Sequence, residues 1–255
     1  MSEARLIIRL PDQAEGLSQD EEYCLVQRGE ETQKVCFHDY RGIYNIPGLY
    51  EELFARRLKC VSPQVVVSQL IRSVCNEGHD PAGLKVLELG AGNGLAGAEL
   101  VKRGVRTVVG ADILEEAHRA VLRDRPHVYT DYFVEDFCNL SEDTRLKLET
   151  YRLNCLLCVA ALGFGDVPPG AFITAFNLIA GDGWMAFNIK DEFLTNKDSS
   201  GFSRFIHSII EEGIFEPLER VVYRHRLAVD GKALSYAAFA GRKRGDIPEP
   251  MEREW

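Results

Sequence analysis

Residues 85–101 read KVLELGAGNGLAGAELV, and few local architectures accommodate such a stretch. Val86-Leu87-Glu88-Leu89 is a short apolar run carrying one acid, the pattern of a buried strand. Gly90, Gly92 and Gly94 follow at alternate positions, and small residues at helical spacing then run from Leu95 to Val101. Strand, glycine turn and helix together present backbone N–H groups and a positive helix end to a ligand. Glycine suits such a turn because the backbone visits φ > 0, and because a Cβ would hold the ligand off the chain.

The sequence downstream alternates strand and helix. Buried strands are expected over 105–111, 128–134, 153–161 and 183–190, with helices over 114–124, from Ser141, from Pro168-Pro169 to about 180, and over 202–212. The strand at 153–161 is almost wholly apolar, as a strand covered on both faces should be. Residues 219–229 and 232–242 flank Asp230-Gly231, a strong tight-hairpin signal. Alternation of this kind predicts a doubly wound, mostly parallel sheet with right-handed crossovers, and the terminal hairpin adds an antiparallel edge. At 255 residues and 45% hydrophobic composition the chain can form one α/β domain with additions.

The first 39 residues do not fit that pattern. Leu6-Ile7-Ile8 reads as a strand, and two further apolar runs flank Arg28-Gly29-Glu30-Glu31 as a hairpin, so 1–39 is expected to be a small β accessory. Residues 40–80 form a helical lead-in, with a short helix near 51–58 and another opened by Ser62-Pro63 that carries Val66, Leu70 and Val74 on one face. The core spans 81–245 and a tail 246–255.

Three acids end successive strands: Glu88 before the glycines, Asp112 after the second strand, and Glu135-Asp136-Phe137 after the third. Glu88-Leu89-Gly90-Ala91-Gly92-Asn93-Gly94 together with these positions resembles the class I S-adenosylmethionine-dependent methyltransferases, over roughly residues 62–244. The resemblance implies a seven-stranded sheet with one antiparallel strand, S-adenosyl-L-methionine as cofactor and transfer of its methyl group. The chemistry of the residues agrees. Asp112 follows Gly94 at about the twenty-residue offset of a ribose-binding acid. Asp136 can accept from an adenine amino group, and Phe137 brings a backbone N–H and a ring edge. Glu88 and the backbone of Gly90, Ala91, Gly92, Asn93 and Gly94 can serve the ammonium end, while Ile113 and Ala160 complete the donor-contacting set.

A nicotinamide dinucleotide site, in an NAD(P)-binding oxidoreductase, is the main competitor. Gly92-Asn93-Gly94-Leu95-Ala96-Gly97 spells G-x-G-x-x-G, but counted from Gly90 the third glycine falls on Leu95, and a diphosphate would meet Glu88. A non-catalytic binder of the methyl donor is the other alternative. Net charge −9, from 30 Lys+Arg against 39 Asp+Glu, argues against tracking a phosphate backbone, so nucleic acid is a disfavoured partner and a small-molecule acceptor is expected.

Methyl transfer from a sulfonium needs chiefly positioning, with a general base only where the acceptor must lose a proton. Candidates on the acceptor side come from the ends of the fourth and fifth strands. Asp166 can be a base or simply a loop acid before Pro168; Asn188 and Lys190 end the fifth strand; His225, in the final hairpin, can be a base or an ordinary strand histidine. The segment Ala160-Ala161-Leu162-Gly163-Phe164-Gly165-Asp166 departs from the Asn-Pro-Pro-Tyr type of amino-methylating nucleic-acid enzymes. Tyr40, Tyr44 and Tyr50, with Arg41, suit a lid over the donor, Tyr44 foremost, or pack the segment on the sheet.

Cys155 and Cys158 invite a metal site, but strand alternation sends them to opposite faces, and no metal is expected. Seven scattered cysteines read as reduced thiols, the first residues lack the apolar core of a signal peptide, and the longest apolar run, 155–164, is too short for a bilayer. The expectation is a cytoplasmic protein, free of the membrane, with a homodimer contact possible through the first forty residues.

Overall fold

The computed structural model describes residues 6–11, 16–163, 166–194 and 201–248. Phe164, Gly165 and all but the first three residues of the expected tail lie outside these. The chain divides into two compact units: Met1–Val61 with Arg224–Leu234, and Ser62–Tyr223 with Ser235–Trp255.

In the smaller unit β1 (Ile7–Arg9), β2 (Tyr23–Arg28) and β3 (Glu31–Cys36) form an antiparallel sheet in that order. Gly29, at φ +60°, makes the expected turn between β2 and β3. Cys24, Val26 and Val35 point inward, where α1 (Tyr40–Tyr44) and a π-helical turn over Glu51–Arg57 add Ile43, Leu53 and Phe54. The spacing at 51–58 foretold a helix, but apolar periodicity over two turns does not separate α from π. A buried ion pair closes this unit: Arg226 Nη2 donates to Glu22 Oε2 at 2.5 Å, and the second oxygen of Glu22 accepts from Val229 N–H at 2.6 Å.

The larger unit opens with α2 (Ser62–Asn76) and continues as β4 (Lys85–Leu89), α3 (Leu95–Lys102), β5 (Thr107–Asp112), α4 (Glu115–Asp124), β6 (Asp131–Val134), α5 (Glu142–Thr150), β7 (Cys155–Cys158), α6 (Pro169–Asn177), β8 (Trp184–Lys190) and α7 (Phe202–Glu211). β9 (Phe215–Leu227) and β10 (Ala233–Lys243) follow, the stretch from Arg224 to Leu234 belonging to the smaller unit. The seven strands lie in the order β6-β5-β4-β7-β8-β10-β9; β4 to β8 are parallel and β10 runs antiparallel to β8. This is the expected doubly wound sheet with its antiparallel hairpin.

Period-two alternation sorts the core into two faces. Leu87, Leu89, Val109, Leu156, Cys158, Met185 and Phe187 pack with Phe172 and Phe176 of α6 and Phe205 and Ile209 of α7. Val86, Val108, Cys155, Leu157 and Trp184 pack with Val66 and Leu70 of α2 and Leu100 of α3. Cys155 and Cys158 accordingly face opposite ways. Lys243 is buried at the C-terminal end of α6, where its ammonium donates to the carbonyl of Phe176 (3.0 Å), a group that a helix end leaves without an intrahelical partner, and to that of Ile179 just beyond it (2.6 Å). Two expected strands are shorter than the apolar pattern suggested. β6 begins only at Asp131, after a turn that brings in Tyr129, and β7 ends at Cys158 because the backbone turns left-handed at Ala160. Among the described residues no helix is long and apolar enough to cross a membrane.

Candidate functional site

The sheet order reverses direction of winding between β4 and β7, and it is at the carboxyl ends of strands beside such a switch point that open α/β sheets bind ligands. Here β4 gives way to a loop in which Gly90, Gly92 and Gly94 take φ of +68°, +54° and +83°, values an L side chain resists. The loop is clamped from several directions. Asp112, last residue of β5, accepts from Gly92 N–H through Oδ2 at 2.9 Å and from Leu114 N–H through Oδ1 at 3.0 Å. Tyr132 donates its hydroxyl to Gly92 O at 3.0 Å, and Arg125 donates to Asn93 O at 3.0 Å. Ala91 N–H donates to Ala111 O at 3.0 Å, tying the loop back to β5.

Burial raises the Asp112 carboxyl above its ordinary range, against the N–H groups of Leu114, Gly92 and Ile113, and the neighbouring Asp166 carboxylate pushes the same way as burial. The structure therefore brings Asp166 into electrostatic reach of the second-strand acid. Ile113 stands next to Asp112 with its side chain 58% exposed. Asp136 is half-buried and caps the short 3₁₀ turn Phe137–Asn139 by accepting from Cys138 N–H at 2.8 Å.

Two expected roles change. Glu88, at the end of β4, is buried at 2% exposure on the α3 side of the sheet, where it accepts from the Tyr129 hydroxyl at 2.9 Å. Burial lifts its pKa to about 8, with Asp112 adding to the rise, so the acid is neutral at neutral pH and carries no charge for an ammonium group. Phe137 is 3% exposed with its ring in the core beneath the sheet, so the ring edge expected at the site is not there.

The acceptor-side candidates scatter. Asn188 is fully buried and its Oδ1 accepts from Ala160 N–H at 2.7 Å. Lys190 pairs with Glu192 at 2.8 Å. His225 belongs to the smaller unit, buried, with Nδ1 3.8 Å from Cys60 Sγ; burial, then Arg226, depresses its pKa to about 3, which makes it a poor proton acceptor near neutrality. Tyr44 also lies in the smaller unit, buried and stacked between Tyr40 and Tyr50 at centroid distances of 6.0 and 5.5 Å.

Comparison with solved structures places the fold. A provisionally assigned RNA methyltransferase from Pyrococcus horikoshii aligns over 72% of this chain and 87% of its own, with TM-score 0.53 and 16% identity. An S-adenosylmethionine-dependent methyltransferase from Clostridium acetobutylicum aligns over 77% and 97%, with TM-score 0.53 and 11% identity. The fold is that of the class I methyltransferases. A third similar structure, the N-methyltransferase NodS from Bradyrhizobium japonicum in complex with S-adenosyl-L-homocysteine, aligns over 81% and 97% with TM-score 0.51 and 13% identity. No protein-family profile and no curated protein matches the sequence.

Within this methyltransferase fold, sequence reasoning missed Tyr129, Tyr132 and Arg125. In the sequence they look like an ordinary strand and the residues before it. The signal that could have found them is the pair of tyrosines three apart in a segment flanking a glycine loop: Gly94, Gly97 and Gly110 are the absences into which those rings fit.

Proposed function

We propose that the chain is an S-adenosylmethionine-dependent methyltransferase acting on a small molecule. The observation that carries this reading is the loop of three left-handed glycines fastened through Gly92 to the half-buried Asp112. Such a loop leaves open the space that side chains would fill, and a carboxylate that accepts two backbone N–H groups keeps lone pairs for the two hydroxyls of a ribose. The residues present thus fit the donor. Backbone groups of Gly90 to Gly94 would hold its amino-acid end, Asp112 its sugar, and Ile113 and Asp136 its base. The ammonium falls to backbone carbonyls, since Glu88 is neutral and covered by Tyr129.

The donor's sulfonium supplies an activated methyl group. What this chain adds is orientation: the loop is pinned by Asp112, Tyr132 and Arg125, so little of the loop is left to order on binding. Asp166, in reach of Asp112, is the proposed proton acceptor or anchor on the acceptor side. Support for a small acceptor comes from the net charge of −9 and from the apolar turn after β7.

Titration calorimetry of the full chain tests the reading. S-adenosylhomocysteine should bind and NAD and NADP should not. Asp112→Asn should weaken S-adenosylhomocysteine by about tenfold to a hundredfold, the cost of charge-assisted hydrogen bonds, with the fold intact by circular dichroism. Equal affinity for the dinucleotides, or an unaffected variant, would refute it. Transfer of labelled methyl to candidate acceptors then separates an enzyme from a non-catalytic binder.

A further inference from the structure

Ala160, two residues beyond β7, has φ +56°. An L residue there crowds its own carbonyl, and persists only where its surroundings hold it. Asn188 does the holding: the Oδ1 of this fully buried amide accepts from Ala160 N–H at 2.7 Å. The amide is itself fixed from behind. Its Nδ2 donates to the Tyr223 hydroxyl at 2.9 Å and to Ser62 Oγ at 3.4 Å, and those two hydroxyls lie 2.6 Å apart. A flipped amide would set a donor against the Ala160 N–H, so a single orientation satisfies every partner.

The turn so fixed abuts the glycine loop. A methyl group added at Gly90 would meet Ala161 Cβ at 3.0 Å and Val167 Cγ2 at 3.4 Å, and Val167 N–H donates to Ala161 O at 3.0 Å. Polar side chains of α2, β8 and β9 thereby act, through one backbone N–H, on the spacing between the ends of β4 and β7.

We propose that Asn188 is a positioning residue for the donor site: by holding Ala160 in its left-handed turn it sets the wall that Ala161 presents beside Gly90. This rests on the methyl-donor reading above. Glycine has no left-handed penalty, so a glycine at 160 should keep the turn without help from the amide.

The test measures S-adenosylhomocysteine affinity of the full chain by calorimetry, with thermal melts as the check on folding. Asn188→Ala should weaken binding about tenfold, the scale of one disfavoured left-handed residue, and adding Ala160→Gly in the same chain should restore most of the loss. Asn188→Ala binding as tightly as wild type overturns the proposal. So does a loss that Ala160→Gly fails to restore, because a general defect in the buried network would not respond to a change at 160. Should Asn188→Ala not fold, Tyr223→Phe, which unseats the amide but keeps its bond to Ala160, should give a smaller loss, again restored by Ala160→Gly; no loss, or none restored, overturns the proposal. Wild-type protein that binds no S-adenosylhomocysteine sinks the donor reading itself, an outcome separate from either of these.

Discussion

A carboxyl group at the tip of a parallel strand looks in the sequence like a charge, and at Asp112 and Glu88 the surroundings decide otherwise to different degrees. Asp112 is fed by backbone N–H groups and stays a hydrogen-bond acceptor at the loop. Glu88, one strand over, is met by the Tyr129 hydroxyl and the Gly97 N–H, too few to offset its burial, and has a pKa near 8 in place of its ordinary 4.5. The fold holds this proton more tightly than the unfolded chain does. Below about pH 4.5 the acid is protonated in both states; between 4.5 and 8 only the unfolded chain releases its proton, so stability falls as pH rises, and above 8 the loss is complete. Glu88→Gln removes the titration. Thermal melts should show the variant close to wild type near pH 5 and increasingly more stable toward pH 9, by on the order of 1–3 kcal/mol. A difference independent of pH would mean that Glu88 is ionised in the fold. The sequence showed that an acid sits at each strand end, because position along a strand is local information. It did not show which acid is solvated, because that depends on Tyr129, 41 residues away in the chain and brought over by a sheet crossing.

α3 lies against β4 closely enough that glycine at 97 is required by its neighbours. A methyl there would come within 2.7 Å of Val128 Cγ1, 2.9 Å of Glu88 Oε2 and 2.9 Å of Tyr129 Cε1. Two effects compete in Gly97→Ala. Helix propensity favours alanine by about 1 kcal/mol, whereas overpacking costs typically about 1–3 kcal/mol. Crowding on three sides should win, and differential scanning calorimetry should show a lowered Tm; a raised Tm would contradict the packing of this helix on its strand. Most elements were legible because their signals are local: the apolar run of β8 after its Gly-Asp-Gly turn, the Asp230-Gly231 turn, Ser62-Pro63 at the start of α2. What escaped was set by distant contacts. The strand expected over 153–161 stops at Cys158 because Asn188 draws Ala160 into a left-handed turn. Alternation assigned Asn188 a face but could not name Ala160 as its partner. Phe137 looked like a site residue because it follows a strand-end acid, and the core claimed its ring.

Across the whole chain the excess of acids sets a further expectation. One structural neighbour is provisionally assigned to RNA, yet a protein of net charge −9 releases few counterions on meeting a polyanion. Fluorescence anisotropy with a labelled single-stranded RNA should give binding no tighter than about 10⁻⁴ M at physiological salt. Micromolar affinity with a steep salt slope would instead point to a basic patch and a macromolecular acceptor. The doubly wound, mostly parallel sheet implied by the strand–helix alternation was legible at this scale; the order of its strands and the division into units were not, the latter since it depends on residues 224–234 joining the first 61. That division bears on how the protein can be cut. Arg226 in β9 is 4% exposed on its side chain and answers to Glu22 near the opposite end of the sequence. A shortened version beginning at Ser62 would therefore take away both the carboxylate and the Phe37 ring that meet this guanidinium, and any trimming meant to isolate the methyltransferase-like sheet must also redesign the tip of its last hairpin.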